Sequence, residues 1–143
     1  MRPTRHSKDS RKYFDWLEIA AGDLLAARLL IEQEQCTEAA AFHCQQGMEK
    51  TFKAYLIDRT GTLVDGHNLT WLCRQAMKHN RGFSQWLDAT AKMNRLYIET
   101  RYPSDIDLRL SDERVKEIYG TAREIYDHIC TELYGEEAMG DEP

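Results

Sequence analysis

Apolar residues recur at every third or fourth position through most of the chain, a spacing that predicts amphipathic α-helices. No segment sustains the alternation of apolar and polar residues that a half-buried strand requires. Proline stands only at positions 3, 103 and 143, so the long interior contains no helix breaker of this kind. The most regular repeat lies near the C-terminal end and comprises Val115, Ile118, Tyr119, Ala122, Ile125, Tyr126, Ile129 and Leu133. The pattern predicts an all-α fold.

Five helices follow from these repeats and from the residues at their ends. Thr37 and Ser111 are expected N-caps, and Gly61 is an expected C-terminal stop. The predicted helices cover residues 10–34, 37–60, 69–79, 84 to 100 or 101, and 112 onward. The first is predicted to bury Phe14, Leu17, Ala21, Leu24 and Ile31, and the second Ala41, Cys44, Met48, Phe52 and Tyr55. Long helices with short loops predict an up-and-down bundle of four to five helices.

Composition narrows the class of protein. The 143 residues suit a single domain with its core at about 10–133, between a basic N-terminal arm and an acidic C-terminal tail. A net charge of −5 excludes nucleic-acid binding through bulk charge, so any such contact must be a local patch. The four cysteines lack metal-site or redox spacing and indicate free or buried thiols. Neither a signal peptide nor a membrane span is recognisable, which predicts a cytoplasmic protein.

Three stretches of the sequence identify a family. AAFHCQQGMEKTFKAYL lies in the second predicted helix, GHNL follows in a loop, and YIETRYPSD ends the fourth helix. In this order and spacing the chain resembles the HEPN family of small prokaryotic helical domains, over about residues 10–133. The resemblance implies a bundle of four or five helices, usually a homodimer. Many stand-alone members are encoded beside a minimal nucleotidyltransferase in pairs that resemble toxin–antitoxin modules, others are metal-independent ribonucleases, and some are proposed to bind nucleotides.

The ribonuclease members carry an arginine followed, after four to six residues, by a histidine. The arginine would hold the scissile phosphate while the histidine moves a proton. In this chain Arg101 matches the arginine, but positions 106–108 hold isoleucine, aspartate and leucine. The departure argues against an enzyme at this site.

The same arginine–histidine spacing occurs at two other places, Arg74–His79 and Arg123–His128, away from the family position. Residues five apart lie about 140° from each other around a helix, so Arg123 and His128 do not readily face one phosphate. The pairs therefore carry little weight as catalytic sites.

The candidate binding residues lie on the second and fourth helices. His43, Gln46 and Lys50 form a polar stripe at helical spacing. This stripe either fixes helix register through hydrogen bonds or lines a cleft with Arg101, and the sequence leaves both interpretations open. His67, in GHNL, is expected to cap or anchor its loop, and no third ligand with suitable spacing supports a metal site.

Arg101 and Tyr102 stand where Pro103 ends the fourth helix. An arginine is favourable at any helix C-terminus, but it also suits bidentate phosphate contact, and Tyr102 could stack on a base. Tyr97, four residues before Arg101, shares its face. The basic arm comprising Arg2, Arg5, Lys8, Arg11 and Lys12 is expected to be solvated, with weak contact to RNA or a partner as the alternative.

Three functions remain at this point. The first is a nucleotide- or RNA-binding module without a cofactor, a homodimer that partners a minimal nucleotidyltransferase. The second is a ribonuclease toxin that combines Arg101 with a histidine from elsewhere, such as His43 or His67, or with one from the other subunit. The third is a dimeric scaffold without a nucleotide ligand.

Overall fold

The computed structural model describes residues 10–101 and 110–135, with only the backbone described over 96–101. Within these ranges the chain forms helices and no strand, so the predicted all-α fold is confirmed. The elements are α1 (Tyr13–Glu32), α2 (Thr37–Thr60), α3 (Leu69–Met77), a 3₁₀ helix (Arg81–Trp86), α4 (Leu87–Arg101) and α5 (Asp112–Tyr134). No helix in the described ranges is long and apolar enough to cross a membrane.

The second helix, α2, lies at the centre of the bundle. Every residue from 51 to 57 is buried, including Thr51 and Lys53. A helix that is buried all round its surface must be packed on every side, and α1, α3, α4 and α5 all contact α2. The apolar stripe predicted for this helix is buried throughout. Within residues 51–57 the polar side chains therefore face neighbouring helices rather than open solvent, whereas Asp58, Arg59 and Thr60 at the end of α2 are exposed.

The helices α1 and α2 pack side by side in opposite directions. Lys53, near the end of α2, lies over the ring of Trp16, near the start of α1. Further along, Gly47 faces Leu24 so closely that a Cβ added at Gly47 would lie 3.0 Å from Leu24 Cδ2. The glycine thus allows the close approach that brings Asp23, next to Leu24, against α2.

Two of the three predicted helix ends are confirmed. Ser111 caps α5, where its Oγ accepts a hydrogen bond from the Arg114 N–H at 3.1 Å. Gly61 ends α2 with a φ of 72°, a left-handed conformation that glycine adopts without strain. The prediction for Thr37 is wrong by one residue, because Cys36 is the N-cap of α2. The Thr37 hydroxyl instead donates to the Leu110 carbonyl at 2.9 Å, which joins α2 to the segment before α5.

The predicted core face of α1 is partly wrong. Phe14 is half exposed, and the buried residues of α1 are Leu17, Ala20, Leu24 and Ala27. These four residues recur at spacings of three and four and form the face that packs on α2, and Phe14 lies outside that face. A second difference is the 3₁₀ helix, which occupies the predicted start of the fourth helix, so that α4 begins at Leu87 rather than Ser84.

Candidate ligand-binding site

The residues predicted to contact a ligand fall into two groups in the structure. Tyr97 and Arg101 belong to α4, but their side chains lie outside the described part of the structure, as do Tyr102 and residues 1–9 of the basic arm. His43, Gln46 and Lys50 lie on α2, where their contacts are described. Only the second group can be tested for contacts with one another.

The α2 group is organised around Asp23, a carboxylate of α1. Lys50 Nζ donates to Asp23 Oδ2 at 2.7 Å, and His43 Nδ1 lies 3.0 Å from Asp23 Oδ1. The Asp23 side chain is only 13% exposed, so these contacts are shielded from water. One carboxylate therefore joins two turns of α2 to α1, as expected of a network that fixes helix register. The charge of Lys50 is matched by that of Asp23.

Gln46 lies between these two residues on the helix but does not join the Asp23 network. Its Nε2 donates to Gln45 Oε1 at 2.7 Å, and Gln45 is buried. The hydrogen bond satisfies a buried amide oxygen that would otherwise be unpaired. The polar stripe of α2 is thus divided between two separate sets of contacts.

A second carboxylate, Glu49, organises the other side of α2. Its Oε2 accepts a hydrogen bond from Lys53 Nζ at 3.2 Å and lies 2.9 Å from His67 Nδ1. Both Glu49 and Lys53 are buried, whereas the His67 side chain is 75% exposed. Asn68, the next residue, caps α3 by accepting from the Trp71 N–H at 2.9 Å. His67 thus makes the loop-anchoring contact, and its neighbour supplies the cap.

A cavity of about 330 Å³ opens beside Glu49. Within the described ranges, Glu49 Oε1 is buried and accepts no hydrogen bond. The cavity can therefore hold water or a small molecule that donates a hydrogen bond to this oxygen. Its lining residues are Trp16, Glu49, Lys53, Leu63, Val64, Asp65 and His67. Across the described residues, no three histidine, cysteine or acidic side chains are grouped to hold a metal ion.

The roles of Asp23 and Glu49 were not assigned from the sequence. Asp23 is the only acid between Glu18 and Glu32, in a stretch whose only other charged residue is Arg28, and this was a usable signal for a buried partner. Glu49 lies within the same motif as His43, and GHNL follows it in the chain, but the spacing of the two motifs does not reveal their contact. That contact depends on how the loop returns over α2.

A third carboxylate, Glu132, is partly buried and links the far end of α2 to α5 and to the residues after α3. Its Oε2 accepts from Arg59 at 3.2 Å, while its Oε1 accepts from Asn80 and lies 2.7 Å from His128 Nε2. Burial alone would raise the pKa of Glu132, but the nearby Tyr55 hydroxyl and the hydrogen bonds from Asn80 and Arg59 lower the pKa below its ordinary value. The ionised carboxylate is the form that this site stabilises.

The structure separates the Arg123–His128 pair, as the helix geometry predicts. Arg123 donates to Asp127 at 2.9 Å, whereas His128 faces Glu132 and packs edge-on against the rings of Phe83 and Trp86. The two side chains therefore have different partners.

The comparisons with known proteins agree on one family. The model of the HEPN domain matches residues 13–133. An archaeal HEPN homologue of known crystal structure is similar in fold, with a TM-score of 0.67 and 22% sequence identity over 85% of this chain and 98% of that chain. No curated protein matches the chain significantly. The helical bundle, the three motifs and the match over most of the sequence together show that the chain belongs to the HEPN domain family.

Proposed function

We propose that this HEPN protein is a nucleotide- or RNA-binding module that acts as a homodimer and as the partner of a minimal nucleotidyltransferase in a toxin–antitoxin-like pair. The observation that carries the proposal is the intact sequence Arg101–Tyr102–Pro103 without a histidine at positions 106–108. Arg101 is the last residue of α4, where a positive charge is favourable next to the C-terminal end of the helix dipole. Its guanidinium group is also suited to a bidentate hydrogen bond with two oxygens of one phosphate. Binding without cleavage is the function that fits these residues.

Substitution of Arg101 tests this proposal against a control on the same helix. Arg101→Ala should weaken binding of a labelled oligoribonucleotide or of a nucleotide about tenfold or more, whereas Arg95→Ala, which removes an equal charge from α4, should have little effect. The wild-type protein should leave the RNA intact in the presence of EDTA. Metal-independent cleavage that disappears in Arg101→Ala would contradict the proposal, and absence of any nucleotide or RNA binding would favour the dimeric scaffold.

One observation favours the ribonuclease alternative. The His67 imidazole is largely exposed while its Nδ1 contacts Glu49, and a histidine oriented by a carboxylate is suited to proton transfer. His43 is held by Asp23 in a similar way, though it is less exposed. A toxin of this kind should lose its effect on cell growth with His67→Ala or His43→Ala. Growth inhibition that persists in both variants would eliminate this alternative.

The homodimer is supported by the outer face of α1. Phe14, Leu25 and Leu29 lie near one side of this helix and are each about half exposed. Such an apolar stripe is typical of an interface between protein chains. Light scattering should give a dimer for the wild-type protein and a monomer for Leu25→Glu/Leu29→Glu, while Arg28→Glu on the same helix should remain dimeric.

The nucleotidyltransferase partner is supported by family membership alone. A neighbouring reading frame with the signature G-S-x-x-x-x-x-x-D-x-D would supply the candidate. Co-expression and co-purification of the two chains in a fixed ratio is the expected result, and an unrelated neighbour would argue for a stand-alone role.

A further inference from the structure

The end of α3 and the residues that follow it form a basic cavity of about 750 Å³. Three of the lining side chains carry a permanent positive charge, one is a histidine, and none is acidic. The cavity is therefore a local region of positive charge on a protein whose net charge is −5. The lining residues are Arg74, Met77, Lys78, His79, Asn80, Arg81 and Ser84.

The cations of this cavity are available to an external anion. In the part of the chain that the structure describes, Arg74, Lys78 and Arg81 form no ion pair with an acid, and Lys78 Nζ donates only to the neutral Gln75 side chain at 3.0 Å. The cations of α2 differ in this respect, since Lys50 and Lys53 each face a carboxylate. The cavity thus presents positive charge that no acid among the described residues neutralises.

The backbone that carries these cations is fixed to the rest of the bundle. Asn80 accepts from the Gly82 N–H at 2.9 Å and donates to Glu132 of α5. Phe83, two residues after Arg81, is buried against the Tyr55 ring at a centroid distance of 4.8 Å. Because Asn80 and Phe83 hold this part of the chain against the bundle, the backbone at His79 and Arg81 is already positioned before a ligand binds.

An exposed aromatic side chain extends the basic surface along α3. Trp71 is 41% exposed and precedes Arg74 by three residues, while Lys78 follows Arg74 by four. At these spacings the three side chains are neighbours along one side of the helix. Aromatic rings on which bases stack, alternating with cations that follow the backbone, are the usual means of binding a single strand.

We propose that Trp71, Arg74, Lys78 and Arg81, with His79 beside them, bind a single-stranded nucleic acid, with phosphate groups on the cations and one base stacked on Trp71. The inference deepens the proposed function and rests on it for the ligand class, and it adds a contact on α3 and the 3₁₀ helix to the one proposed at Arg101. The cations are exposed and extend from Arg74 on α3 to Arg81 at the start of the 3₁₀ helix, and the cavity lining contains no tryptophan, tyrosine or phenylalanine to enclose a single base. These features suit a strand better than one nucleotide.

The test is fluorescence anisotropy with a labelled oligouridylate of about 12 nucleotides, long enough for a site of this kind. The cluster variant is Arg74→Gln/Lys78→Gln/Arg81→Gln, and the matched control is Arg28→Gln/Arg95→Gln/Lys116→Gln, which removes three charges from exposed positions elsewhere. The cluster variant should bind at least tenfold more weakly than the control. The slope of log K against log salt should fall by roughly 2, as expected for three lost phosphate contacts on a single strand. Trp71→Ala should weaken binding roughly tenfold without changing this slope.

The results distinguish failure of this inference from failure of the proposed function. Equal affinities and slopes for the cluster variant and the control would overturn the inference, even if Arg101→Ala binds weakly. Normal binding by Arg101→Ala together with a loss in the cluster variant supports this surface and counts against the role proposed for Arg101. Displacement of the oligouridylate by polyglutamate of equal charge, with no effect of Trp71→Ala, would assign the surface to an acidic protein partner and overturn the nucleic-acid inference.

Discussion

His67 Nδ1 lies 2.9 Å from Glu49 Oε2, and this contact joins the loop before α3 to the central helix. Two of the three motifs that identify the family therefore meet at one carboxylate. The same carboxylate is also the only ion-pair partner of Lys53 among the residues described. Glu49 thus supports a loop at the surface and neutralises a cation in the interior. Loss of these two contacts should lower the free energy of unfolding by different amounts.

Glu49→Gln should lower the free energy of unfolding by about 3 kcal/mol, because it leaves the buried Lys53 ammonium without a counter-charge. His67→Ala removes the other partner of Glu49, but this side chain is 75% exposed, so its loss should cost less than 1 kcal/mol. Urea denaturation of both variants measures the difference. The double variant Glu49→Gln/Lys53→Met removes both charges and should recover most of the lost stability. A Glu49→Gln variant as stable as His67→Ala would show that Lys53 finds another partner or reaches water.

Glycine to valine substitutions at two helical positions should have different effects. At Gly47 the new side chain would meet Leu24, whose Cδ2 lies 3.0 Å from the Cβ position, and overpacking should lower stability by about 1–3 kcal/mol. Gly120 of α5 has no atom within 4 Å of its Cβ position, so Gly120→Val should be neutral or slightly stabilising. Thermal unfolding of the two variants provides the comparison. Addition of Leu24→Ala should rescue Gly47→Val in part, and failure to do so would place the strain elsewhere.

Much of the fold could be predicted from the sequence because helix-forming residues and caps act locally. The bounds of α2, the Ser111 cap and the Gly61 stop depend on residues within one turn of the helix end. Thr37 was misassigned because its hydroxyl bonds to Leu110, which is distant in sequence. Phe14 was misassigned because the orientation of α1 is set by its packing on α2. Periodicity shows that a helix has an apolar face but not which edge of that face meets the neighbour.

The candidate site was less predictable for a related reason. His43 and Lys50 were recognised as a polar stripe, but their common partner, Asp23, lies on another helix. Glu49 and Lys50 are adjacent and make separate contacts, because adjacent residues point apart on a helix. The basic cavity combines residues of α3 and the 3₁₀ helix, and no pattern in the sequence predicted that helix. Motif spacing identifies the residues, while their partners depend on the tertiary fold.

The cysteines should differ sharply in reactivity. Burial raises the pKa of Cys44 to about 12, with the nearby charge of Asp23 adding to the effect, and burial raises the pKa of Cys73 to about 11. Cys130 is also buried, whereas Cys36 is exposed. Because the thiolate is the reactive form, only Cys36 should react rapidly with a disulfide reagent at pH 8 in the native protein. Cys36→Ser should abolish this fast phase, and denaturation should make the remaining thiols reactive. A fast phase that survives Cys36→Ser would show that a buried thiol is accessible.

Acid should destabilise the protein partly through Glu132. Its pKa is lowered in the folded state from the ordinary value of 4.5, because the donors around the carboxylate outweigh the effect of burial. A depressed pKa means that the unfolded chain binds the proton more readily, so the stabilisation is complete above pH 4.5 and is lost as the pH falls through the folded-state pKa. Urea denaturation between about pH 3 and pH 6 should show this decline in the wild-type protein.

Glu132→Gln should be less stable near neutral pH and should show a shallower decline in acid. Glu113→Gln is the control, since it removes an exposed carboxylate at the start of the same helix and should leave the slope unchanged. Equal slopes for the wild-type protein and Glu132→Gln would mean that other carboxylates account for the acid sensitivity.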